Sequence, residues 1–372
     1  MRPEGRPLPT QLGSPSDADP EATIPAESRS VATQTIAQYT RILVVSRRPK
    51  VAILGTRFQD FDVERAVLGD VDLISGPASS PEEILEIATG ADVILAGASP
   101  QFDSDTLAEL GCRAIVRLGV GVDGVDLDAA RTGGVCVVNV PDYGTEAVSL
   151  HAVTLILASL RRLTTADRNL RQGSWGVADL RPLHLPQSLT VGILGFGRIG
   201  SRVGEMLSGL GFAGFLVADP MVEPVDVTSV FGDLPARLVS PADLMAGSDV
   251  VTLHAPAGEG YVIDADVMQT MKEGSLLVNT ARGALIDSQA LVKALSGNRP
   301  GFAALDVYEQ EPADPSLFEP VLDRVILTPH MSWYTEESEL ALRRQAAAEA
   351  ARILAGETPL NVVVTPVTAQ VR

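Results

Sequence analysis

The sequence predicts an α/β protein of two doubly wound parallel-sheet domains, the second inserted into the first, and three observations point that way. Short aliphatic and β-branched runs alternate with helical patterns on both sides of about residue 150. A glycine turn, Gly195-Phe196-Gly197-Arg198-Ile199-Gly200, stands between a strand and a helix in the second series. A helical stretch rich in Ala, Glu and Arg follows the last strand and is placed to return to the first series.

Residues 1–40 are rich in Pro, Ser, Thr, Ala and Glu with almost no large apolar side chains. Burial cannot offset their ordering entropy, so a disordered extension is expected. Strand-like runs at 42–45, 51–55, 71–74, 91–95, 114–117 and 135–139, with helical patterns at 81–89 and 104–110, give a first domain over 41–143. Thr145 is the expected N-cap of a long crossing helix, with Val148, Val153, Ile156 and Leu157 on its apolar face. Strands at 191–194, 215–218, 250–253, 275–279, 303–306 and 325–328 then make the second domain, over 144–329. The helix over about 335–354 returns to the first domain, which 330–372 completes, and no regulatory domain is expected after it.

The stretch around the glycine turn has the parts that grip a dinucleotide. Gly195 permits the tight turn, Gly197 lets the backbone approach a pyrophosphate, and Gly200 lets the helix pack on the strand. The phosphates then face the free N–H groups and the positive dipole end of the helix opening near Arg198 and Ile199. Asp219, about 20 residues beyond the last glycine, is placed to accept hydrogen bonds from ribose hydroxyls. A 2′-phosphate would meet a carboxylate there, with only Met221 and Val222 following, so NAD is expected over NADP.

Bulk properties narrow the class further. A chain of 372 residues has room for two cores, and 45% hydrophobic with 20% charged residues is a globular composition. The net charge of -18 argues against nucleic acid or an anionic membrane as partner, so an anionic substrate must be drawn in by local Arg residues. Cys112 and Cys136 are too few for a disulfide framework and are expected as small buried hydrophobes in a cytoplasmic protein. The N-terminus lacks the apolar core of a signal peptide, and the apolar run 148–160 is too short to span a bilayer. Four His and two distant Cys offer no metal-ligand spacing.

Three residues stand at strand ends after the glycine turn: Arg282 in Asn279-Thr280-Ala281-Arg282-Gly283, Glu311 in Asp306-Val307-Tyr308-Glu309-Gln310-Glu311-Pro312, and His330 in Thr328-Pro329-His330. Residues just past the carboxyl ends of strands line the ligand crevice of an open α/β sheet, so all three are placed to converge on it. A planar guanidinium suits bidentate recognition of a carboxylate, and an imidazole exchanges its proton near neutral pH.

These segments, in this order behind the glycine turn, resemble the D-isomer-specific 2-hydroxyacid dehydrogenase family. The resemblance runs from Val51 to about Asn361. Within the family, His330-Met331-Ser332-Trp333-Tyr334-Thr335-Glu336 is most similar to the C-terminal-binding-protein-like branch. It implies a Rossmann NAD domain inserted into a flavodoxin-like substrate domain, and a homodimer. It also implies that Arg282 holds a 2-oxo acid, that His330 gives a proton to its carbonyl oxygen as hydride arrives, and that Glu311 pairs with His330. By the same resemblance Asp306 lies beside the nicotinamide amide and Thr280 and Ala281 line the cofactor cleft. Arg117 and Gly119 reach the substrate from the first domain, Trp333 walls the pocket, and the loop at His254 borders the cofactor. The expected function is interconversion of a 2-oxo acid and a D-2-hydroxy acid. The alternative is an NADH-responsive protein-binding module, as the corepressors of that branch are.

Overall fold

The computed structural model describes residues 47–366, so the strand expected at 42–45 and the extension expected over 1–40 lie outside the described residues, as do 367–372. Five strands, β1 (Lys50–Leu54), β2 (Asp72–Gly76), β3 (Val93–Ala96), β4 (Ala114–Arg117) and β5 (Cys136–Val138), form a parallel sheet ordered β2-β1-β3-β4-β5. Seven more form a second, wholly parallel sheet: β6 (Thr190–Leu194), β7 (Gly214–Ala218), β8 (Ala236–Leu238), β9 (Val250–Leu253), β10 (Leu276–Asn279), β11 (Phe302–Leu305) and β12 (Val325–Leu327). Its order is β8-β7-β6-β9-β10-β11-β12. Each sheet starts near its middle, winds outward, then reverses, which leaves a crevice at β1/β3 and another at β6/β9.

The strands read as unbroken apolar runs because helices cover both faces of each sheet. Val51, Ala52, Val93, Ile94, Ala114 and Ile115 have no exposed surface, nor do Val191, Ile193, Val250 and Val251 in the second sheet. The crossing helix, Thr145–Leu160, joins the core of the second sheet through Ala152, Val153, Leu155 and Ile156. Its N-cap is Gly144 and not the expected Thr145, because the Gly144 carbonyl already accepts the first helical bond, from the Val148 N–H at 2.9 Å. Thr145 is therefore the first helical residue.

The helix Glu336–Ala355 lies on the other sheet, where Leu342, Ala346, Ala350 and Ile353 join the core with Val51, Ile53, Val93 and Leu95. A reciprocal cap opens it: Ser338 N–H donates to Thr335 Oγ1 at 3.0 Å, and Thr335 N–H donates to Ser338 Oγ at 2.8 Å. Beyond it a last strand, β13 (Val362–Val364), pairs antiparallel with β5, an addition the alternating pattern does not foretell. Three residues near the chain end carry no periodicity, and only the open edge of β5 makes them a strand. Among the described residues no single helix is long and apolar enough to cross a membrane. Cys112 is buried and its thiol is pushed up to about 12 by desolvation, which removes it as a nucleophile.

One buried ion pair ties the returning helix to the first domain. Arg343 donates through Nε and Nη2 to both oxygens of Glu64 at 2.8 Å, and through Nη2 to Asp60 at 3.1 Å; Glu64 has no exposed surface. Removing one partner strands the other charge in the interior. Glu64→Ala is expected to lower unfolding stability by about 3 kcal/mol, read as a shift of the urea midpoint.

Candidate active site

The glycine turn sits at the β6/β9 crevice. Gly195 has φ +86°, and a Cβ there would lie 2.6 Å from the backbone of His254 and of Ala255. Only glycine takes that backbone without strain and tolerates that contact. A Cβ on Gly200 would overlap the Gly195 carbonyl, whereas one on Gly197 would meet nothing within 4 Å. The turn is thus closed behind and open above Gly197, a cradle into which a pyrophosphate fits. Asp219, at the end of β7, accepts from the Phe196 N–H through Oδ2 at 2.7 Å and from the Met221 N–H through Oδ1 at 2.8 Å. These bonds hold the carboxylate at the rim of the turn. Ile199 is half-buried and its carbonyl accepts from Ser149 Oγ, while Arg198 Nε pairs with Asp142 at 2.7 Å.

Two buried polar atoms close to this crevice lack a hydrogen-bond partner, Thr280 Oγ1 just past β10 and His254 Nδ1 just past β9. His254 Nε2 lies 2.9 Å from Thr252 Oγ1, and burial drives its pKa down to about 3, so the ring is neutral. An open glycine cradle, a rim carboxylate and unsatisfied groups at the strand ends all fit a bound dinucleotide.

Arg282 projects from the turn after β10, and the side chain of Asn279 clamps that turn. Asn279 Oδ1 accepts from the Ala281 N–H at 3.0 Å and its Nδ2 donates to the Arg282 carbonyl at 2.8 Å. Gly283 follows because a Cβ there would overlap the backbone of Tyr308. This close approach brings the loops after β10 and β11 together. The Arg282 guanidinium donates from Nε to Asp123 Oδ2 at 3.1 Å. Its charge also lies near enough to His330 and to Arg117 to add a minor downward pull on each, behind the larger effects of the Glu311 bond at His330 and of desolvation at Arg117.

His330 occupies the left-handed region at φ +50°, which a side chain rarely adopts. Asp306 holds it there. Its backbone carbonyl accepts from the His330 N–H at 2.8 Å, and its carboxylate accepts from Met331 N–H (3.0 Å), Ser332 N–H (2.9 Å) and Thr328 Oγ1 (2.6 Å). The resemblance implies a place for Asp306 beside the nicotinamide amide; in the structure this fully buried group braces the loop that carries His330. His151 of the crossing helix approaches the same cluster, its Nε2 3.2 Å from Thr328 Oγ1 and 3.7 Å from Asp306 Oδ1.

His330 Nδ1 meets Glu311 Oε2 at 2.6 Å. That bond raises the imidazole pKa above its ordinary value, against burial and the Arg282 charge. Burial pushes the Glu311 carboxyl up, but the His330 bond and charge outweigh it and hold the group below the usual carboxylate range. A Tyr308 N–H donated to Glu311 Oε1 at 3.0 Å helps. His330 and Glu311 are therefore a bonded imidazole–carboxylate pair, and the Arg282 charge is near enough to act on the imidazole.

From the first domain, Arg117 is buried at the end of β4 and donates to the Gly97 carbonyl, and to the Gly121 carbonyl at 3.4 Å. Desolvation lowers it to about 10, so it stays cationic at neutral pH. Gly119, at φ +156°, accepts from the Val140 N–H and faces open space. Trp333 stands edge-on to the half-buried Tyr143, ring centroids 6.3 Å apart; desolvation raises the Tyr143 phenol, and the Arg282 charge opposes it. No sequence motif marks Asp123, Tyr143, Thr328 or His151 for these contacts, and Asn279 is marked only as an Asn at a strand end.

Comparison with known proteins shows the family. Residues 153–332 match the family model described as D-isomer specific 2-hydroxyacid dehydrogenase, NAD binding domain. A D-3-phosphoglycerate dehydrogenase of Archaeoglobus fulgidus is 32% identical over 290 residues, 77% of this chain and 54% of that one. A glyoxylate reductase of Aeropyrum pernix is 33% identical over 327 residues, covering 85% of this chain and 96% of that one. The chain belongs to the D-isomer-specific 2-hydroxyacid dehydrogenase family. It carries the family's NAD-binding domain, and its cofactor is NAD. A solved Thermus thermophilus protein superposes with TM-score 0.74 at 30% identity, covering 85% of this chain and all of that one. The chain spans about half the length of the phosphoglycerate dehydrogenases it matches. These dehydrogenase and reductase relatives speak for the family as a whole and not for its C-terminal-binding-protein-like branch.

Gly200→Ala is expected to weaken NADH binding about tenfold or more, the effect of forcing a methyl into a packed contact. Titration of NADH fluorescence reads it.

Proposed function

We propose that this chain is an NAD-dependent oxidoreductase that interconverts a small 2-oxo acid and the corresponding D-2-hydroxy acid. The observation that carries the reading is the 2.6 Å contact of His330 Nδ1 with Glu311 beside the Arg282 cation. Gly195, Gly197, Arg198, Ile199 and Gly200 would hold the pyrophosphate, Asp219 the ribose, and Thr280 and Ala281 the nicotinamide half. Bound NADH supplies the hydride that reaches the carbonyl carbon.

The chain supplies the rest of the step. Arg282 grips the substrate carboxylate by two parallel N–H bonds and fixes which face of the carbonyl is presented. Glu311 accepts from Nδ1–H of His330 and keeps the ring in its imidazolium form. Nε2 can then pass its proton to the carbonyl oxygen as that oxygen gains charge. Oxidation runs the same transfer backwards, with neutral His330 accepting the hydroxyl proton. Arg117 adds a second positive charge from the first domain, and Trp333 with Tyr143 gives the pocket an aromatic side. The pairing of Glu311 with His330 favours turnover over a purely NADH-responsive binding role, since sensing alone needs no proton donor.

The sign of the pH dependence follows from the raised His330 pKa. Reduction is expected to hold at low pH and fall as pH rises through that value, while oxidation rises through it. Glu311→Gln removes the largest raising influence and should move both inflections to lower pH, read from kcat/KM profiles. His330→Ala should lower turnover by roughly 10²–10⁴-fold, with NADH still bound in a fluorescence titration. Asp219→Ala should weaken NADH by about tenfold or more, the loss of charge-assisted bonds to the ribose, with little change for NADPH. The direct test is NADH absorbance with glyoxylate, pyruvate, phosphorylated and aromatic 2-oxo acids. No consumption with any of them would overturn the reading.

A further inference from the structure

Asp123 stands where an incoming carboxylate has to go. It lies in the loop after β4, and its Oδ2 receives the Arg282 Nε–H at 3.1 Å across the interval between the two sheets. Its charge also reaches Arg117, which Arg282 repels. One carboxylate is thus held close to the two guanidiniums assigned to the substrate. The side chain is two-thirds exposed, against one-third for Arg282, so it is free to swing away. The intervening residue keeps the place open. A Cβ on Gly121 would overlap Arg282 Nη2 and lie 2.7 Å from Asp123 Oδ2, so glycine lets the two side-chain ends meet where they do without shifting.

We propose that Asp123 is an internal stand-in for the substrate carboxylate, occupying Arg282 until a small organic carboxylate displaces it. The proposal rests on the reading of Arg282 as the substrate-binding cation. Without an occupant, two guanidiniums would repel each other and collect whatever simple anion the solution holds. With Asp123 in place, an entering anion has to outbid a tethered one. A bidentate carboxylate that also offers its 2-oxo group can do so, and a weakly held inorganic anion cannot. Asp123 therefore sets the anion affinity and the selectivity of the site, and its presence makes substrate binding weaker than the two cations alone would allow.

The opposite role is that Asp123 orients Arg282 for binding, and one variant separates the two. In calorimetric titrations of the NAD-loaded protein with sodium oxalate at fixed ionic strength, Asp123→Asn is expected to bind about two- to fivefold more tightly than the parent chain, the range for a half-exposed ion pair. Arg282→Gln should lose the oxalate heat. The KM for a reduced 2-oxo acid should fall by a similar factor in Asp123→Asn. Equal or weaker oxalate binding in Asp123→Asn, or no oxalate binding in any form, overturns the proposal. The calorimetric arm needs no turnover. A chain that binds oxalate through Arg282 but reduces no 2-oxo acid would sink the dehydrogenase reading and leave this one standing. Turnover with an unaltered oxalate affinity in Asp123→Asn would do the reverse.

Discussion

Asp306 has no exposed surface, yet its carboxylate accepts from Thr328, Met331 and Ser332 while its carbonyl accepts from the His330 N–H. The left-handed backbone at His330, strained for a residue with a side chain, persists because this one group over-determines the turn. The turn in turn aims the imidazole at Glu311 and at the crevice. Charge placed at the end of β11 thus organises a loop at the end of β12, and a helix from the far side of the sheet leans on the same cluster through His151. The contact of His330 with Glu311 is only as well placed as this buried bonding.

Much of the fold could be read in the sequence for a physical reason. Parallel strands buried on both faces are continuous apolar runs, and the steric demands of a dinucleotide turn fall on glycines at set intervals. That His330 and Glu311 meet could be expected because residues past the carboxyl ends of parallel strands gather at one edge of the sheet. What could not be read depends on contacts between distant segments. Asp123 is 159 residues from Arg282 and only the packing of two domains makes them partners. Thr145 looked like a cap because caps are chosen by local chemistry, but the tertiary placement of Gly144 started the helix one residue earlier. Asp306 was expected beside the nicotinamide amide, and the bonds it makes to the loop carrying His330 had no signal in the sequence.

Electrostatically the chain works against its own average. A net charge of -18 repels small acids at long range, and the site offsets this with a buried and a half-buried guanidinium at the crevice. The acidic neighbours there have separate jobs. Glu311 is held below the usual carboxylate range by its bond to His330, Asp306 accepts from Thr328, Met331 and Ser332, and Asp219 is pinned at the rim of the glycine turn. Carboxylates of one chemical kind are thereby set in three different surroundings within one crevice.

The antiparallel pairing of β13 with β5, together with the helix Glu336–Ala355, makes the first sheet a product of both ends of the chain. During synthesis the segment 50–138 leaves the ribosome long before its covering helix and edge strand exist. The central, contiguous domain has every strand it needs earlier and can fold while the outer one waits with apolar surface uncovered. Ribosomal pausing or a cut near residue 336 should therefore leave a folded nucleotide-binding core attached to an aggregation-prone partner.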